Sequence, residues 1–313
     1  MTAITVIGSG VSGLSSAVNL QQAGFEVTII TRDMPQSTTS MAAGAVWYGE
    51  GTSGKSREWA GATLKHFQQL ANIKNSGLQI VRLREVFPFR VSDPWFVDQL
   101  PYFARLSDDD LPAGYKDGML MDVPVVESPR YLRFLIDQFL EHGGTYEVRE
   151  IQTLDDLKHD HSLIVNCTGV WAKQVADDSS VYPIRGQTIV IDAPDIQQGY
   201  MDDGTFTYLF PRRDGVLIGG VADPHNWNLE VDPSITADIL ARCSQIEPSV
   251  VNAKIVHQFV GLRPGRQQVR LEAQKLSEHC TVIHNYGHAG VGYTLSWGCA
   301  LDVTAIVKSI TTV

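Results

Sequence analysis

Cysteine is scarce in this chain: Cys167, Cys243, Cys280 and Cys299 are the only four in 313 residues, with no CxxC pair and no metal-like spacing. A disulfide framework and a structural zinc are thereby set aside, and the thiols read as reduced. Basic charge is also short. With 25 Lys+Arg against 35 Asp+Glu the formal net charge is -10. Phosphate backbones and anionic lipids are bound by clustered cations, so neither nucleic acid nor a membrane surface is an expected partner. No apolar run approaches the length of a membrane-spanning helix. The opening M-T-A-I-T-V-I-G-S-G enters a strand and a glycine turn with no charged leader or cleavage site, and the closing T-T-V is no peroxisomal address. Cytoplasmic placement is the expectation. Compositional bias is lacking too: 43% apolar and 19% charged residues, without repeats or low-complexity tracts, describe a globular protein with room for one large α/β domain or two interleaved ones.

What is present begins at the N-terminus. The β-branched run Ile4 to Ile7 reads as a buried strand and is followed at once by Gly8-Ser-Gly10-Val11-Ser12-Gly13. Leu14, Ala17, Val18 and Leu20 then recur at helical spacing as far as Gly24, and Glu26 to Ile30 reads as a second strand. G-x-G-x-x-G between a strand and a helix is where a pyrophosphate rests on helix-terminal N–H groups. The acid that holds a ribose after the second strand in nicotinamide enzymes is missing. Thr31 stands there, followed by Arg32 and Asp33. Arg32 is either a solvated side chain or a contact to adenosine, and as a 2′-phosphate acceptor it keeps an NADP enzyme in view.

Further along, Ser37 to Gly44 is a run of small residues, apart from Met41, suited to close backbone approach, and from Trp47 to about Ser128 the chain leaves the strand-helix alternation. Tyr131 to His142 reads as a helix and Leu163 to Gly169 as a strand ending in a small-residue turn. Thr188 to Ile191 and Val216 to Ile218 alternate with a period of two, as in an antiparallel sheet with one wet face. Val282 to Tyr286 is a final strand, Gly287 to Gly292 a glycine loop, and Tyr293 to Ile310 a closing helix. That second loop aims another positive helix end at the same ligand. A flavin needs such a group where negative charge builds on reduction, and a nicotinamide does not.

The strings A-A-G-A (42–45), V-N-C-T-G-V-W-A (165–172), P-I-R-G-Q (183–187), Y-L-F-P (208–211), G-L-R-P-G-R (261–266), H-N-Y-G-H-A-G-V-G (284–292) and S-W-G-C-A (296–300) follow in that order. With them the chain resembles the D-amino-acid oxidase family over nearly its whole length, least from Gly49 to about Val125. The resemblance implies an α/β fold in which a Rossmann-like FAD-binding domain is interleaved with an α+β substrate domain containing an antiparallel sheet. The expected segments are 1–46, 129–183 and 282–313 for FAD and 47–128 and 184–281 for substrate. It implies non-covalent FAD held by Gly8, Gly10, Val11, Ser12, Gly13, Arg32, Thr38, Thr39, Ala43, Gly44, Val148, Thr168, Gly169, Gly287, Ala289, Gly290, Val291, Gly292, Tyr293 and Thr294.

For chemistry, the resemblance implies that Arg263 grips the substrate α-carboxylate, Tyr208 donates a second hydrogen bond to it, and the carbonyl of Gly290 accepts from the amine. The α-hydrogen then leaves as hydride toward flavin N5, and O2 takes the electrons to give hydrogen peroxide. No side chain acts as a base at the α-carbon. His284 and His288 are expected to brace the loop, and Ser296 and the cysteines to be structural. No metal is expected, the partners are a D-amino acid and O2, and a homodimer is left open.

One departure is that Gly204 stands where eukaryotic-type members have a lid tyrosine, in a shortened connection from Tyr200, with Phe206 or Tyr200 as the possible substitutes. The mouth is accordingly expected to be open, lined by Trp47 or Tyr48, and to admit bulky neutral side chains. Arg212 and Arg213 are expected to lie solvated. The alternatives are a D-aspartate or D-glutamate oxidase using Arg212, Arg213 or Arg266, a glycine or sarcosine oxidase, an NADP-dependent dehydrogenase, and a flavin-binding protein without turnover.

Overall fold

The computed structural model describes residues 3–311. Ile4, Val6 and Ile29 are fully buried, and the strands that carry them, Ala3–Ile7 and Glu26–Thr31, pair in parallel with the helix Val11–Gln22 between them in the chain. They sit inside a six-stranded sheet ordered Arg270–Lys275, Thr281–Tyr286, Leu163–Asn166, Ala3–Ile7, Glu26–Thr31, Thr145–Val148. All neighbours in it are parallel except Arg270–Lys275, which is antiparallel to Thr281–Tyr286. Arg270–Lys275 lies in the 184–281 segment expected to join the substrate sheet. A six-residue hairpin register with the next strand takes it to the six-stranded sheet of Ala3–Ile7 instead.

Helix Gly292–Thr311 packs against Val11–Gln22, where Thr304 Oγ1 donates to Asn19 Oδ1 at 2.7 Å. Helix Lys55–Leu70 packs on its other side at Gly298, whose missing side chain lets Trp59 approach: a Cβ there would stand 2.2 Å from Trp59 Cα. This helix was not legible within 47–128. Its buried residues Trp59, Ala60, Thr63, Leu64 and Phe67 do follow a helical repeat, but a high density of polar residues surrounds them.

The second sheet has nine strands: Asp223–Pro224, Tyr182–Asp192, Gly215–Gly219, Thr207–Arg212, Gly199–Asp202, Leu78–Phe87, Asp117–Val126 and Phe103–Arg105 in spatial order, with Lys254–Gly265 also paired to Tyr182–Asp192. The expected wet face is not found at Thr188 to Ile191 and Val216 to Ile218. Ile189, Ile191, Val216 and Ile218 are covered by helix Pro233–Ile246 through Ile239 and Cys243, while Val190 and Leu217 join the main core on the opposite face. A strand buried on both faces carries apolar residues whichever way they point, so alternation there does not report solvent. Register sets Glu85, Met201, Tyr208 and Gly219 side by side across four strands, on one face.

Candidate active site

Between the two sheets lies a cavity of about 490 Å3. One part of its wall is the first glycine turn. Gly8 has φ +102°, and a Cβ on it would meet the Cys167 carbonyl oxygen at 2.6 Å. Helix Val11–Gln22 starts at Gly10, which has no side chain to cap it, and the Val11 N–H donates to Ser40 Oγ at 2.9 Å. An uncapped helix start facing a cavity offers N–H groups and a positive dipole end to an anion. Gly292, Tyr293 and Thr294, the first turn of the last helix, line the same cavity, so two helix starts meet there. Arg32 also lines it, with its guanidinium 4.3 Å from the Trp171 ring centroid and its Nε donating to Asp33 at 2.9 Å. A 2′-phosphate at Arg32 would therefore meet Asp33 as well.

Another part of the wall is built from the second sheet. Tyr208 is buried in the row of four, its ring stacked on Phe210 at 5.0 Å and confined by Gly219 and Gly220, where added Cβ atoms would stand 2.4 and 2.5 Å from it. Burial pushes its phenol up, and the nearby Arg263 charge opposes that only in part. Arg263 comes from strand Lys254–Gly265. Its guanidinium lies across the backbone of Gly186, where a Cβ would stand 2.5 Å from Nη1, and Nη1 donates to the Val221 carbonyl at 3.0 Å. Among the described residues Arg263 forms no ion pair. A half-buried guanidinium with an unmatched charge, next to a phenol, is a receptor for a carboxylate.

The histidines are neutral. Burial lowers His288 and His284 to about 4; His288 braces the loop through Nε2 to Asn285 Oδ1 at 3.1 Å, whereas His284, expected to do the same, lies in strand Thr281–Tyr286 and bonds across the sheet, Nε2 to Gln274 Oε1 at 2.9 Å. Tyr48 lines the cavity and donates to Glu85 Oε1 at 2.6 Å; Glu85 is fully buried and its second oxygen has no partner. Trp47 is buried away from the mouth with Nε1 on the Ala60 carbonyl, so of the two residues expected there only Tyr48 lines it. Phe206, at φ +52° and half exposed, covers the edge of Tyr208 from the Gly204 turn, whereas Tyr200 packs into the cluster beneath helix Pro233–Ile246. Arg213 is exposed, but Arg212 is not solvated as expected. Its side chain is 1% exposed and paired with Asp214 at 2.6 Å, because the strand turns it inward with Tyr208 and Phe210.

A family model described as FAD dependent oxidoreductase matches residues 3–306. A D-amino-acid oxidase of Rubrobacter xylanophilus is 38% identical, the match covering 96% of this chain and 94% of that protein. A human D-aspartate oxidase is 31% identical over 97% of this chain and 94% of that one. The chain belongs to the D-amino-acid oxidase family of FAD-dependent oxidoreductases. Among solved structures, glycine oxidase from Geobacillus kaustophilus superposes with a TM-score of 0.82 at 18% identity, covering 99% of this chain and 95% of that one, which reports a shared fold.

FAD, the cofactor of this family, suits the residues present. The uncapped helix start at Gly10 and the first turn at Gly292 supply anion-binding N–H groups in an otherwise acidic chain. Of the residues expected to hold it, Gly8, Gly10, Val11, Ser12, Arg32, Thr38, Thr39, Ala43, Gly44, Thr168, Gly169, Ala289, Gly290, Val291, Gly292, Tyr293 and Thr294 line the cavity, as do Tyr208 and Arg263. Gly13, Gly287 and Val148 do not. Gly13 is where helix and strand touch, a Cβ there lying 1.9 Å from the Gly8 carbonyl oxygen; Gly287 packs on Arg266; Val148 is 59% exposed. Sequence reasoning missed Gly186, Gly219, Gly220 and Glu85. The glycines stood in view, but the side chains they make room for are far away in the chain, and Glu85 in L-R-E-V-F reads like any strand-edge carboxylate.

Proposed function

We propose that this protein oxidises neutral D-amino acids: D-amino acid, O2 and water give a 2-oxo acid, ammonia and hydrogen peroxide. The observation that carries the reading is Arg263, a guanidinium with no ion pair, set beside buried Tyr208 in the wall of the cofactor cavity. Bound FAD supplies the two-electron acceptor. Arg263 and the Tyr208 hydroxyl hold the α-carboxylate, Phe206 covers the mouth, and the carbonyl of Gly290, a residue next to Arg263 in the cavity wall, accepts from the amino group. With the carboxylate and the amino group of the substrate both fixed, orientation is the main contribution of these side chains, and no base is required at the α-carbon.

Side-chain charge separates this from an acidic-substrate oxidase. Arg212 is spent on Asp214, Arg213 is exposed, and Arg266 is spent on Asp178 at 3.1 Å, so none of the three supplies a second cation to the cavity. The protein is proposed to work in the cytoplasm, with neither nucleic acid nor membrane as partner; among the described residues no helix is long and apolar enough to cross a membrane. Peroxide release measured with D-Ala, D-Met, D-Phe, D-Asp, D-Glu, glycine and sarcosine tests the assignment. Higher catalytic efficiency is expected for the neutral D-amino acids. A preference for D-Asp and D-Glu, or for glycine and sarcosine, would replace it.

A further inference from the structure

We propose that Tyr48 and Glu85 form the proton acceptor for the substrate's amino group, Tyr48 taking a proton from the ammonium while its own passes to the Glu85 carboxylate. This rests on the amino-acid-oxidising reading above. An α-amino acid arrives mostly as the ammonium, whose nitrogen lone pair is occupied, and the oxidation needs that lone pair free. The Gly290 carbonyl can accept a hydrogen bond but cannot keep a proton.

The geometry is specific. Tyr48 lines the cavity, and its hydroxyl is committed as a donor to Glu85 Oε1 at 2.6 Å, which leaves the phenolic oxygen's lone pairs as acceptors. Glu85 stands in the same cross-strand row as Tyr208, separated from it by Met201. It is fully buried, forms no ion pair among the described residues, and its Oε2 has no hydrogen-bond partner. The groups around it are Tyr48, the carboxylates of Glu50 and Asp203, and the uncharged cross-strand neighbours Met119 and Met201. A buried carboxyl in such surroundings is poorly placed to remain charged and well placed to accept a proton. In the transfer the ammonium nitrogen loses one proton, the Tyr48 oxygen gains it and releases its own, and Glu85 becomes a carboxylic acid. No electrons move, the phenol ends as it began, and one positive and one negative charge disappear together.

Burial, against the opposing pull of the Tyr48 hydrogen bond, raises Glu85 from 4.5 to about 8. That is far closer to an amino group's proton affinity than an ordinary carboxylate, as a proton acceptor working near neutrality requires. Two other titratable groups of the wall are unsuited: His288 is lowered to about 4 and bonded to Asn285, and Arg263 is a cation.

The test compares the FAD-loaded parent with Glu85→Gln and Tyr48→Phe. Anaerobic flavin reduction by D-alanine, measured from pH 6 to pH 10, should fall on the acid side in the parent with a break at about 8. In both variants the break should move to that of the free ammonium, with a loss of roughly ten- to a hundredfold near pH 7 that shrinks to within about twofold at pH 10. An infrared spectrum of the protein without substrate provides a readout independent of turnover. A buried carboxylic-acid carbonyl band should be present at pH 6, fade as pH rises through about 8, and be missing from Glu85→Gln. An unchanged pH profile in Glu85→Gln, a uniform loss at every pH, or no such band in the parent would overturn the pair's role. A parent that no D-amino acid reduces would overturn the functional reading itself, and the pair's role with it.

Discussion

Arg263 is held in place by what its neighbours lack. Gly186 has no side chain, so the guanidinium can lie on its backbone, and no carboxylate among the described residues neutralises it. Two substitutions separate its role from support of the fold. Arg263→Ala removes a charge-assisted contact worth about 3 kcal/mol, so kcat/KM should fall roughly a hundredfold while FAD stays bound. Loss of FAD together with activity would assign Arg263 to the cofactor or the fold. Gly186→Ala places a methyl 2.5 Å from Nη1. It should raise KM for the amino acid by about tenfold, the shift expected when a bidentate contact is displaced, and leave FAD content unchanged. An unaltered KM would show that the guanidinium works from another position. At this scale the sequence was legible only through its strings. G-L-R-P and Y-L-F-P pointed to Arg263 and Tyr208, whereas the glycines that shape their pockets gain meaning only once strands distant in the chain are adjacent.

The element most fully readable from the sequence was the first strand, glycine turn and helix, because its signals are local: a β-branched run, three glycines at fixed spacing and a helical repeat. Gly13 shows why that turn tolerates no enlargement, with a Cβ 1.9 Å from the Gly8 carbonyl oxygen. Gly13→Val must push the helix start away from the strand, and the protein should purify largely without FAD while keeping its far-UV circular dichroism. Full FAD occupancy in that variant would mean that the close contact does not position the cofactor. Elements whose identity depends on distant partners were harder to read. Helix Lys55–Leu70 packs on Gly298 almost the length of the chain away, Arg270–Lys275 chooses its sheet by pairing with the next strand, and Thr188 to Ile191 is covered by a helix some forty residues on. Local alternation carries no information about what later covers each face.

For the molecule as a whole, buried titratable groups govern how stability responds to pH. Burial holds His66, His284 and His288 at about 4, against 6.5 for an exposed imidazole. Between those values the unfolded chain binds protons that the folded one refuses, so stability should fall as pH drops from about 6.5 toward about 4. Glu85 acts with the opposite sign. Its carboxyl is raised from 4.5 to about 8, so between those values the folded state binds more protons and stability falls as pH rises. Three groups outweigh one below about 6.5, and Glu85 alone acts above it. The thermal midpoint, followed by circular dichroism, should therefore rise from pH 4 to about 6.5 and decline slightly toward pH 8. A midpoint that is flat or that increases on acidification would contradict the burial of these groups. The central claim, that the cavity between the sheets binds FAD and presents it with a D-amino acid held by Arg263, is tested most directly by anaerobic mixing of the purified yellow protein with D-alanine and, separately, with L-alanine. The flavin's visible absorption should bleach with the D-enantiomer and persist with the L-enantiomer, and Arg263→Ala should slow the bleaching without releasing flavin. Equal bleaching by both enantiomers, or none by either, would contradict it.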